Sequence, residues 1–176
     1  AVGASFFTVF VTDFFGDDIA ECDSVDTKCR AQCQCDNDFF GMDCSMTIDA
    51  YQSKRNSAEL LCTTLAVTRS SVDVTESTIL SDCATVTALF KDMTVISDDA
   101  YFNCSKVVTD SILQSPTLVV EDDVMPTVVR ALSALLERGV FISDDIFENI
   151  VSAIEVLNDY RQAILSAGEE PFELYT

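Results

Sequence analysis

Thr47-Ile-Asp-Ala-Tyr51-Gln-Ser-Lys54-Arg-Asn-Ser-Ala58-Glu-Leu-Leu-Cys62-Thr-Thr-Leu65 is the stretch on which the fold turns. Ile48, Tyr51, Arg55, Ala58, Leu61, Cys62 and Leu65 recur at spacings of three and four, which sets them on one stripe of an α-helix. The same period continues downstream. Asp73-Val-Thr-Glu76 is a capping signature for a second helix reaching about Met93, with Ile79, Leu80, Cys83, Val86, Leu89 and Phe90 inward. Ser97-Asp-Asp opens a third, with Phe102, Val107, Val108, Ile112 and Leu113 inward and Pro116 after its end. A fourth runs from about Asp122 to Arg138, with Pro126 tolerated in the first turn and Gly139 as the stop. Ser143-Asp-Asp starts a fifth, with Ile146, Phe147, Ile150, Ile154, Leu157 and Ile164 inward, ended by Gly168 and Pro171. The links are short, so neighbours should pack antiparallel. The fold class is therefore mainly α, an antiparallel bundle of about five helices over residues 47–168, with 169–176 as a linker.

Upstream the period changes. Residues 5–15, Ser-Phe-Phe-Thr-Val-Phe-Val-Thr-Asp-Phe-Phe, are rich in aromatic and β-branched residues and read as one β-strand before the bundle. Both its faces are apolar and no other segment is a clear strand. Its partner is expected in a preceding domain or another subunit, the alternatives being the helices or the short hairpin downstream. Residues 16–21 form an acidic linker. Then comes Cys33-Gln-Cys35-Asp-Asn-Asp-Phe-Phe-Gly41-Met-Asp-Cys44, in which Gly41 can take the positive φ of a tight turn.

That run, with Cys22 and Cys29 ahead of it, resembles an EGF-like module over residues 22–46. Its five cysteines align with the second to sixth of that family's six. The resemblance implies a disulfide-stapled β-hairpin, the pairs Cys22–Cys33 and Cys35–Cys44, and an oxidising compartment, because so small a module has little core. The first cysteine of the pattern is missing, which leaves Cys29 without a partner inside the module. Cys29, Cys62, Cys83 and Cys104 then form an even set, the last three spaced 21 residues apart. Two of those three are expected to pair and the third to reach Cys29. A Cys62–Cys83 bridge is geometrically easy across the first helical hairpin. Reduced, buried thiols are the alternative. A four-thiolate zinc site from Cys29, Cys33, Cys35 and Cys44 is a poor fit, since one residue separates Cys33 from Cys35.

Composition narrows the function. The chain has 176 residues, 48% of them hydrophobic, a net charge of −20 and no histidine. A net charge this negative argues against nucleic acid and against anionic membrane surfaces. Without histidine there is no Ser-His or Cys-His nucleophile system, and catalysis would rest on carboxylates alone. No stretch is long and apolar enough to insert directly in a membrane. The chain opens on Ala1 without a signal-peptide pattern. It reads as an excerpt of a longer protein rather than a processed product, with residues 1–21 as the tail of a preceding domain.

Acidic clusters are the remaining candidates for chemistry: Asp17-Asp18, Asp36-Asn-Asp38, Asp98-Asp99, Glu121-Asp-Asp123 and Asp144-Asp145. Three of them sit at helix starts, where carboxylates favour the helix dipole. Asp18-Ile-Ala-Glu21-Cys22 is similar to the opening of calcium-binding EGF-like modules, which makes Asp18 and Glu21 the candidate Ca²⁺ ligands. A solvated linker is the other reading, and no cofactor is expected. Asn103-Cys-Ser105 matches the N-glycosylation pattern.

These features point to a non-catalytic, extracellular or cell-surface structural or adhesion segment, made in the secretory pathway and glycosylated. Its partners would be other protein subunits or neighbouring domains. More distantly, the arrangement is similar to EGF-plus-helical regions of protist and algal surface proteins, including polycystin-like receptors and the glycoproteins of flagellar hairs (mastigonemes). The alternative is a soluble extracellular binding module or accessory subunit that depends on calcium.

Overall fold

The computed structural model of the chain describes residues 7–12, 30–36, 38–41, 43–137 and 143–164. Among them the protein is mainly α, with two small antiparallel sheets before the helices. Strand β1 (Phe7–Thr12) pairs with β2 (Arg30–Cys35) in a register running from Phe7 opposite Cys35 to Thr12 opposite Arg30. The partner of the first strand is thus in the same chain. The expectation of a partner in a preceding domain or another subunit is overturned; the strand takes the cysteine-rich segment downstream, close to the alternative of pairing with the short hairpin there, although the polar run Arg30–Cys35 did not read as a clear strand. Strands β3 (Phe39–Phe40) and β4 (Met46–Thr47) form a second, two-residue hairpin.

Six α-helices follow: α1 (Ile48–Arg69), α2 (Glu76–Leu89), α3 (Asp98–Gln114), α4 (Pro116–Val119), α5 (Met125–Leu136) and α6 (Asp144–Ile164). The hydroxyls of Thr47 and Ser97 accept from the backbone N–H of Ala50 and Ala100, opening α1 and α3 as N-caps. The cap of α2 is Thr75, not Asp73. Thr75 and Thr78 bond reciprocally side chain to backbone, a capping box with threonine where Glu or Gln is commoner. The single turn α4, begun by Pro116, was not expected; the proline starts a helix there instead of only ending one.

The helices do not pack simply in chain order. α3 is the central rod, flanked by α1 and α6, while α2 lies mainly on α5. Nine α3 residues are buried against three on the longer α1. The core gathers Cys62, Ile79, Val86, Phe90, Tyr101, Val108, Ile112, Val128, Leu135 and Ile150, all essentially without solvent contact. Phe90 and Tyr101 meet with ring centroids 5.7 Å apart, and the Tyr101 hydroxyl donates to the Leu135 carbonyl at 3.0 Å.

Several residues expected inward face water instead: Ile48 and Leu61 on α1, Phe102 and Leu113 on α3, and Phe147, Ile154 and Ile164 on α6. On α3 the reason is visible. Ser105, Thr109 and Ser111 take the buried positions, and their hydroxyls donate to carbonyls three or four residues back: Phe102, Ser105 and Lys106, and Val107 respectively. A hydroxyl satisfied by its own helix can be buried at little cost. The true inward face is thus rotated away from Phe102 and Leu113.

This rotation has a measurable consequence. In denaturant unfolding Ile112→Ala, at a fully buried position, loses about 3 kcal/mol, whereas its neighbour Leu113→Ala loses less than about 1 kcal/mol.

Candidate functional site

The cysteines organise the part of the molecule where sequence motif and structure meet. Cys35, at the end of β2, is bonded to Cys44 in the turn between β3 and β4. Gly41 sits in that turn at φ +92°, the left-handed conformation expected of it, and an added Cβ would run into the Met46 methyl. Cys44 itself adopts φ +55°. Ser45 donates through both its N–H and its hydroxyl to Asp43, at 3.2 and 2.7 Å, which holds the Asp43 carboxyl below its usual range.

This hairpin is joined to α1 without a linker, since Thr47 both closes β4 and caps the helix. Phe40 stacks on Tyr51 with centroids 4.9 Å apart, and the Tyr51 hydroxyl donates to the Thr94 carbonyl at 2.8 Å in the 3-10 turn Met93–Val95. Lys54 bonds Asp92 at 3.1 Å beside it. Sheet, turn and helix therefore meet in one aromatic joint.

A second bridge, Cys62–Cys104, ties α1 to α3. Two of the three later cysteines thus pair, the choice between them having been open; the geometrically easy Cys62–Cys83 alternative does not form, because α1 lies along α3 and only grazes α2. Cys83 is a free, buried thiol. Burial, and secondarily the Asp82 carboxylate, push it up to about 12, against a smaller opposing effect of Arg69. Close by, Arg69 is buried at the last turn of α1. Its guanidinium donates to Ser111 at 2.7 Å and to Thr78 at 3.3 Å, and lies 3.7 Å from Asp82. Its Nε has no hydrogen-bond partner among the described residues. Burial raises the Asp82 carboxyl above its ordinary value despite Arg69.

Of the other sequence candidates, Cys22, Cys29, Asp18 and Glu21 lie outside the described residues; so does the side chain of Cys33, whose backbone runs in β2. The implied Cys22–Cys33 pair and calcium ligands lie there too. Asn103 is half-buried in mid-α3, donates to Thr63 at 3.3 Å, and is followed by the bridged Cys104 and a buried Ser105. Asp98 with Asp99, and Asp144 with Asp145, occupy first helical turns. Glu121-Asp-Asp123 instead makes the turn between α4 and α5: the Glu121 carbonyl accepts from Val124 and Met125, and Asp122 pairs with Arg161 at 3.0 Å. No group of three potential metal ligands occurs among the described residues, and no helix there is long and apolar enough to cross a membrane.

Sequence reading missed one surface feature, a groove of about 220 Å3 between α3 and α6. Phe102 and Leu113 lie along it with Lys106, Asp110 and Ile146. Lys106 and Asp110 neutralise each other at 2.9 Å. The groove is below the roughly 300–1,000 Å3 of usual small-molecule sites. The signal was present in the sequence, as two large apolar residues at one helical phase, but it had been assigned to the core. No family model, curated protein or solved structure matches the chain.

The thiol and the bridge make separable predictions. Cys83 resists alkylation at pH 8 in the folded protein and reacts once denaturant unfolds it, as followed by mass spectrometry. Because its folded value is raised, the stability it contributes is intact below its ordinary 9.0 and is lost as pH climbs from there towards about 12. Replacing Cys62 and Cys104 together by serine should cost about 4 kcal/mol through the closed loop between them.

Proposed function

We propose that the protein is a non-catalytic structural or adhesion segment that works outside the cell, in which an EGF-like hairpin is held in fixed orientation on a helical bundle. The supporting observation is the joint itself. One disulfide ties the end of β2 to the turn between β3 and β4, the hairpin runs into α1 with no intervening residue, and a second disulfide anchors α1 to α3. Disulfides of this kind persist in oxidising compartments. A joint with no free linker transmits orientation and load from hairpin to bundle rather than letting the two swivel. Neighbouring domains or other subunits are its partners. In this reading Asn103 carries a glycan only if it is modified before α3 closes on α1.

The exposed Phe102 and Leu113 beside the α3–α6 groove favour a second reading, a soluble extracellular binding module or accessory subunit whose ligand binding requires Ca²⁺ near Asp18 and Glu21.

Labelling of intact cells with a membrane-impermeant amine reagent, followed by alkylation without reduction and mass spectrometry, tests both. The primary reading expects label on the exposed Lys54 and Lys106, bridged Cys35–Cys44 and Cys62–Cys104, and retention on the cell after calcium chelation. Label only after lysis, with every cysteine alkylated, overturns it. Release on chelation and return with Ca²⁺ selects the second.

A further inference from the structure

The groove between α3 and α6 is apolar along its length and acidic at one end, because its two walls run parallel. Arg161, late in α6, donates to the Val120 carbonyl just past α4, the turn that follows α3. At the other end the Tyr101 hydroxyl, near the start of α3, meets Leu135 in the last turn of α5, the helix that precedes α6. Both walls open with Ser-Asp-Asp, at 97–99 and 143–145, so two pairs of carboxylates come to the same end. Asp98 and Asp99 stand one turn before Phe102 on its stripe, and Asp145 one turn before Asn149, which lines the groove. The helix N-termini there supply about half a positive charge each, and the carboxylates outweigh them. Lys106 is the one base among the described residues lining the groove, and Asp110 holds it at 2.9 Å. Phe102 and Leu113, 51% and 43% exposed, lie three turns apart along α3, about 16 Å.

We propose that this groove docks a basic amphipathic α-helix of a partner protein, its apolar stripe lying over Phe102, Ile146 and Leu113 and its lysines or arginines meeting Asp98, Asp99 and Asp145. The walls decide the shape of the occupant. They are helices whose backbone groups are committed within them, so an extended segment finds no sheet edge to join, whereas a helix arrives with its own backbone satisfied. The floor accepts apolar cover. Ser105 and Thr109 already donate to carbonyls of their own helix, so covering them strands no donor. At about 220 Å3 the space falls short of small-molecule sites. Charge then sorts the helices. A second copy of this chain at −20, or its own last stretch with Glu169, Glu170 and Glu173, would set carboxylates against the acidic end, while a basic helix is drawn to it. The proposal needs neither calcium nor an extracellular location, and so goes beyond both readings above.

Fluorescence anisotropy with the full, oxidised chain, in about 0.15 M salt and a calcium chelator, tests this. The probe is a labelled synthetic peptide of about sixteen residues with leucine at i, i+4, i+7 and i+11 and lysine at most other positions. A Kd of about 10 µM or tighter is expected. A scrambled peptide of the same composition, which keeps the charge and loses the stripe, should bind at least about tenfold more weakly. The same stripe with glutamate for lysine should not bind. Phe102→Ser and Leu113→Ser each weaken the basic peptide by about tenfold, with circular dichroism unchanged because both side chains are exposed. The double variant D99N/D145N also weakens it by about tenfold and flattens its salt dependence. Leu60→Ser, an exposed apolar position on α1, leaves the affinity as it was. No binding at about 1 mM peptide, equal binding of the scrambled peptide, or indifference to both apolar variants overturns the proposal. Equal binding of the acidic stripe, or indifference to the aspartate variants, overturns the basic character of the partner.

Discussion

The contact between α1 and α3, closed by Cys62–Cys104, is the constraint on which the remaining architecture depends. The bridge spans 42 residues of chain and encloses all of α2. In the loop-entropy account a closure of that length stabilises the fold by about 4 kcal/mol, against about 3 kcal/mol for the nine-residue separation of Cys35–Cys44. Its geometric effect matters as much. With α1 laid along α3, the Ser97 hydroxyl reaches Glu59 at 3.0 Å, Asn103 reaches Thr63, and Arg69 reaches Ser111. The same placement sets Tyr51 where it meets both Phe40 and the carbonyl of Thr94. Bundle and hairpin are oriented through one helix.

Arg69 shows how the three central helices are brought to a common register. A buried ion pair is weak evidence for stability, since desolvation offsets most of its attraction. Here the arginine is tied to hydroxyls as well as to Asp82. Ser111 donates to Val107 and accepts from the guanidinium, so one hydroxyl is satisfied in both roles. Thr78 serves the α2 capping box and accepts from Arg69 in the same way. Sliding any of the three helices by a turn would leave a buried guanidinium without its partners, a loss of several kcal/mol. The same desolvation keeps Cys83 protonated, so a thiol amid two charged neighbours is nevertheless inert as a nucleophile at neutral pH.

Helix positions were legible in the chain because their signals are local. Ser97 and Thr47 each end an extended segment and offer a hydroxyl to the amide three residues on; Gly41 supplied its positive φ as expected. Facing and partnership were not local. Phe102 and Leu113 read as core because periodicity counts apolar residues and does not see that Ser105, Thr109 and Ser111 neutralise their own hydroxyls. The partner of Cys62 depended on which helix α1 lies against, and the short link after Arg69 suggested α2. What decided it was the unusually complete burial of α3, whose nine inward residues need neighbours on several sides. The partner of β1 was legible only as one alternative among several, for a related reason: strand pairing satisfies backbone groups and leaves little trace in a polar sequence such as Arg30–Cys35.

α1 combines these constraints in one element. Its inner stripe is narrow, three buried residues in 22. Apolar burial at that density does little to offset the cost of ordering a helix of six turns. The helix is held instead by its ends and by its bridge: Thr47 and the aromatic joint at the start, Cys62 in the middle, Arg69 at the finish. An element fixed at three points needs little core of its own, and most of its circumference is then free to be surface. Fixing α1 covalently from behind therefore orients the hairpin and at the same time leaves its outer face open to solvent.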